Sequence, residues 1–131
     1  MKKVMLVLAM CGLAQSGPAW AGQADYSIAT GDDLGRVCAN AAGTELTASE
    51  KERLLVCGGY IRGYLGHYST ARSLMRQQEF CLPQAGISAE KVRLLYVAVL
   101  EKRPQIRDFP AAVDLASILK AAYPCKTGET P

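Results

Sequence analysis

The segment CGGYIRGYLGHY, residues 57–68, holds the side chains best suited to chemistry in this 131-residue chain. Cys57 opens it, and His67, the only histidine, stands near its end. A thiol and an imidazole within hydrogen-bond reach would form a nucleophile and its base. Gly58, Gly59, Gly63 and Gly66 raise a second possibility, a loop that cradles phosphate. The spacing argues against both. Leu54, Cys57, Ile61, Leu65 and Tyr68 recur at i, i+3, i+7, i+11 and i+14, which is a helical stripe. On one helix, the ten residues from Cys57 to His67 span about 15 Å, too far for proton transfer. The order G-G-Y-I-R-G lacks the dinucleotide-binding spacing, and no Lys-Ser/Thr follows it. The acidic residues are scattered over helix starts and polar faces, with no pair set apart for glycosidase-type work. Cysteine spacings are long, C-x-x-C is absent, and only His67 could complete a metal set. The expectation is therefore no catalytic residue, no metal and no cofactor.

Packing explains the segment better. Gly59, Gly63 and Gly66 fall at i, i+4 and i+7, so they share one helix face. Each interior glycine costs about 1 kcal/mol relative to Ala, so a close helix neighbour is expected to offset the loss. Tyr60, Tyr64 and His67 form an adjoining ridge. Such a ridge serves either as core or as a recognition surface, where tyrosine is enriched.

The elements that hold this helix follow from the rest of the chain. Lys2 and Lys3, the apolar run Val4–Ala14, and Ala19-Trp20-Ala21 have the layout of a signal peptide cut after Ala21. The run is too short for a bilayer span, and the bulky Met10 before Cys11 is wrong for a lipoprotein anchor. Removing residues 1–21 takes Lys2 and Lys3 away, leaving 13 cationic against 12 acidic side chains. That balance gives no electrostatic case for nucleic acid. One domain, residues 22–125, is expected, with residues 126–131 as a disordered polar tail.

No alternating strand pattern occurs, so the domain reads as all-α: a compact single domain of four to five short helices. Thr30 caps a first helix that ends near Ala42-Gly43, and Thr47-x-x-Glu50 is a capping box for the second. The second helix can continue past Tyr68. Pro83 and Gly86 break the chain before a third helix, capped by Ser88 and stopped by Pro104. Asp108 is expected to cap the fourth, with Val113, Ala116, Leu119, Ala122 and Tyr123 as its buried stripe.

Four cysteines remain after export: Cys38, Cys57, Cys81 and Cys125, which read as two disulfides. Helices one and two form a hairpin, and so do helices three and four. That favours Cys38–Cys57 and Cys81–Cys125 among the three possible connectivities.

CGGYIRGY, FCLP, a helix ending VLEKRP and the final FPAAVDLASILKAAYPC together resemble the Rap/Tai family of exported immunity proteins. The resemblance covers Leu34 to Cys125. It implies a small helical periplasmic protein that binds a cognate secreted peptidoglycan amidase effector, delivered by type VI secretion, and occludes its active site. It also implies a homodimer. Gly59, Tyr60, Gly63, Pro83 and Pro104 would then be scaffold positions, with the cysteines. Family members often carry an acid near the position of Gly66; here there is none, so any role of that acid does not carry over. The expected contact surface is the segment after the glycine helix: His67, Arg72, Met75, Arg76, Gln77 and Gln78. The rival reading is a periplasmic stress or chaperone-like protein that exposes apolar surface on acidification.

Overall fold

The computed structural model describes residues 26–126, apart from Ala42 and Gln77. The expected signal peptide, all of the expected tail but Lys126, and Gln77 lie outside the described residues. Four α-helices follow in order: α1 Gly31–Cys38, α2 Ala48–Met75, α3 Ala89–Lys102 and α4 Ala111–Ala122, with a 3-10 turn at Pro104–Asp108 before α4. No strand occurs among the described residues; a single antiparallel bridge joins Thr30 to Pro110. The all-α expectation holds, but α2 is not short, with 28 residues that extend about 42 Å.

The helix starts obey local chemistry. Thr30 and Asp33 form a reciprocal capping box on α1, and Thr47 and Glu50 form one on α2. The Ser88 hydroxyl accepts from the Lys91 N–H at α3. Four hydrogen bonds from main chain and side chains hold the Asp33 carboxyl far below the usual carboxylate range, those from Thr30 first. Two expected boundaries are corrected. Helix α1 ends at Cys38, because Ala39 turns extended. Asp108 does not cap α4; it closes the 3-10 turn, and Pro110 holds the cap position without a side-chain bond. The lead-in backbone does the work instead: the Ala111 N–H donates to the Ala29 carbonyl, and the Gly31 N–H donates to that of Phe109. Main-chain pairing thus replaces a side-chain cap and ties the two helix starts together.

The shortest helix sits at the centre. α1 packs on α2, α3, α4 and the 3-10 turn. Leu34, Val37 and Cys38 of α1 join Cys57 and Ile61 of α2, Val92, Tyr96 and Leu100 of α3, and Leu115, Ile118 and Leu119 of α4 in the core. Close approach needs glycine here. A Cβ on Gly35 would lie 2.8 Å from Leu100 Cδ1, and one on Gly31 only 1.9 Å from Asp114 Oδ2.

The α4 stripe is rotated from the expected one. Ala111, Asp114, Leu115, Ile118 and Leu119 face inward, while Val113 stays 55% exposed and Ala122 is exposed. A stripe through Val113 keeps Asp114 in water; the fold instead buries Asp114 in the space left by Gly31. Its Oδ2 has no hydrogen-bond partner, and burial raises its pKa.

Both disulfides form as expected, Cys38–Cys57 and Cys81–Cys125, with Cα separations of 5.1 and 4.8 Å. Arginines reinforce the first. Arg53 Nη1 donates to the carbonyls of Arg36, Val37 and Ala39, and Arg93 Nη1 donates to that of Cys38. These are the carbonyls that a helix C-terminus leaves unpaired. Pro83 and Gly86 make the expected turn: the Gly86 N–H donates to the Pro83 carbonyl, and Gly86 has φ +79°.

Candidate partner-binding surface

Helix α2 is longer than the body it packs on. Cys57 and Ile61 are buried, and Tyr64, Leu65 and Tyr68 are half-buried. The last anchor is Tyr68, whose ring stacks on Phe80. From Ser69 to Arg76 only Ala71 keeps partial cover. The inward stripe Cys57, Ile61, Tyr64, Tyr68, Ala71, Met75 alternates steps of four and three residues, so its end outruns the core. Met75 is 66% exposed and its neighbour Leu74 78%. Arg76 ends the helix in a left-handed conformation, φ 53°, and its N–H donates to the Arg72 carbonyl.

Two concave features flank this overhang. On one side, Ser69, Arg72, Ser73 and Arg76 line an open depression of about 510 Å³. On the other, Tyr64, His67, Tyr68 and Ala71 of α2 face Ala112, Val113 and Ala116 of α4 across a groove of about 500 Å³, with Glu79 at its edge. Burial, and then the Glu79 charge, push the Tyr64 phenol up to about 12, so it stays a neutral hydrogen-bond donor. Burial also raises Tyr60.

The five described residues of the expected contact set do not share one face. Arg72, Met75 and Arg76 lie on the overhang. His67 points into the groove toward α4 instead. Gln78 is half-buried, with its amide against the Cys81 sulfur. Leu74 and Val113 were missed as surface residues. The length of α2 relative to its neighbours would have pointed to Leu74; Val113 needed the phase of α4, which the sequence left open.

Among the described residues, the glycine face lacks the expected close neighbour. A Cβ on Gly59, Gly63 or Gly66 would meet no atom within 4 Å. Cys57 carries no free thiol, being bonded to Cys38. Among the described residues, no helix is long and apolar enough to cross a membrane.

The family model of the Rap1a immunity proteins matches residues 30–125, from the cap of α1 to the last cysteine of the second disulfide. The chain belongs to the Rap1a immunity protein family. The match spans all four helices and bears out the resemblance carried by CGGYIRGY, FCLP and the final helix. Among known proteins, no curated protein and no solved structure matches the chain. Membership of the Rap1a family points to an immunity protein that binds a cognate secreted effector.

Proposed function

We propose that the chain is a periplasmic, non-catalytic inhibitor of a peptidoglycan amidase delivered by type VI secretion. It protects the producing cell by blocking the amidase's active-site cleft, and it works as a homodimer. The observation that carries this reading is the overhang of α2. A cleft is blocked most effectively by a convex element that needs little ordering on binding. Here the last turns of a 28-residue helix project from a body held by two disulfides. Family membership supplies the effector as partner. The disulfides and the signal-like pattern of residues 1–21 support export, since such bonds persist in oxidising compartments. The open Gly59–Gly63–Gly66 face offers a second copy a close helix approach.

Co-expression tests the reading. A candidate peptidoglycan amidase effector, exported to the periplasm, should lyse the cell. The full chain should restore growth, and a chain lacking residues 1–21 should not. Lysis unchanged by the full chain would count against inhibition; rescue by the leaderless chain would count against a periplasmic site.

A further inference from the structure

Charge along α2 is one-sided. No acidic residue occurs between Glu52 and Glu79, while Arg53, Arg62, Arg72 and Arg76 do. Arg53 is consumed by the α1 carbonyls. The described ion pairs use Arg36, Arg93 and Arg107, so Arg62, Arg72 and Arg76 have no carboxylate partner among them. Arg72 and Arg76 are one turn apart at the projecting end, beside the exposed Leu74 and Met75. Two guanidiniums with no carboxylate partner among the described residues thus share one side of the projecting end, with Met75 next to them and Leu74 farther around the helix.

We infer that this end of α2 docks, as a knob, into a protein cleft with an apolar floor and carboxylates on its rim. Leu74 and Met75 fill the floor. Arg72 and Arg76 take the rim carboxylates, which match the guanidinium fork. Methionine suits the floor because its thioether adapts to irregular pockets. A membrane is the weaker occupant. Lipid headgroup recognition takes clusters of about four to eight basic residues, and the knob carries two. The inference rests on the inhibitor reading and specifies the effector's surface: an active-site cleft bordered by Asp or Glu.

The test measures affinity of the full mature chain for the purified amidase effector used in the co-expression test, with anionic phosphatidylglycerol vesicles as a second probe. The variants are Arg72→Glu/Arg76→Glu, Leu74→Ser/Met75→Ser and, as an exposed charge-reversal control outside the knob, Lys120→Glu. Thermal unfolding checks that each variant is folded. Either knob variant should weaken amidase binding at least about 30-fold, the loss expected when a central interface anchor is removed, and the control less than about threefold. Added salt should slow wild-type association. Tight binding that both knob variants leave unchanged would overturn the inference while leaving the inhibitor reading in place. No wild-type binding would overturn both. Vesicle binding that the knob variants abolish, with amidase affinity unchanged, would assign the knob to a membrane instead.

Discussion

The Tyr68 ring lies 3.9 Å from that of Phe80 with 13° between their planes. Its hydroxyl donates to the Phe80 carbonyl at 2.6 Å and accepts from the Phe80 N–H at 3.2 Å. One side chain therefore satisfies both backbone groups of a fully buried connector residue and clamps α2 where its overhang begins. Tyr68→Phe keeps the stacking and strands both groups. It should cost about 2–3 kcal/mol in urea unfolding. A loss below about 0.5 kcal/mol would mean that the clamp is made elsewhere.

Glycines on α1 and α2 should respond in opposite directions. Gly63→Ala meets open space, so the fold should gain about 0.5–1 kcal/mol from helix propensity alone. Gly35→Ala would put a methyl 2.8 Å from Leu100 Cδ1 and should cost about 1–3 kcal/mol. Denaturation of the monomeric protein reads both. Destabilisation of the monomer by Gly63→Ala would show that this face is packed within the chain rather than open.

Asp114 should make stability fall as pH rises. Burial raises its pKa above the ordinary 3.8, so its neutral form is the one that the fold favours. The folded state therefore binds the proton more tightly than the unfolded state. The stability this adds is complete below pH 3.8 and is lost as pH climbs through the raised value. Asp33 and Glu90 act in the opposite sense. Their pKa values are lowered by hydrogen bonding, so their contribution is lost as pH falls. Comparing wild type with Asp114→Asn cancels those groups. The variant should gain on wild type as pH rises above 3.8, and the gain should level off once Asp114 is ionised in the folded state. A difference that does not change with pH would show that Asp114 is ionised and solvated.

The disulfides should contribute unequally. On the loop-entropy account, the 19-residue Cys38–Cys57 separation contributes about 3 kcal/mol and the 44-residue Cys81–Cys125 separation about 4. Paired Cys→Ser variants, unfolded in urea, check the order. A larger loss at Cys38/Cys57 would place the weight on the arginine-bound end of α1.

These contrasts mark what was legible in the sequence. Helix caps are local, so Thr30, Thr47 and Ser88 could be read directly. Hairpin geometry was enough to pair the cysteines. The phase of α4 was not legible, because two apolar stripes compete and the winning one carries Asp114. Its burial depends on Gly31, 83 residues earlier in the chain. Nor could the glycines be told apart by type: Gly31 and Gly35 admit neighbours, while Gly59, Gly63 and Gly66 face open space. Of the expected contact residues, Arg72, Met75 and Arg76 reached the overhang, but helical phase turned His67 toward α4. Gln78, past the end of the helix, faces the second disulfide.

The central claim is inhibition by binding. The direct measurement titrates the purified mature chain into the purified candidate amidase effector and follows release of stem-peptide amines from peptidoglycan. The account predicts that cleavage stops near one equivalent of chain per amidase active site, and that the chain alone releases nothing. Undiminished cleavage at a tenfold excess of folded, disulfide-bonded chain would contradict it.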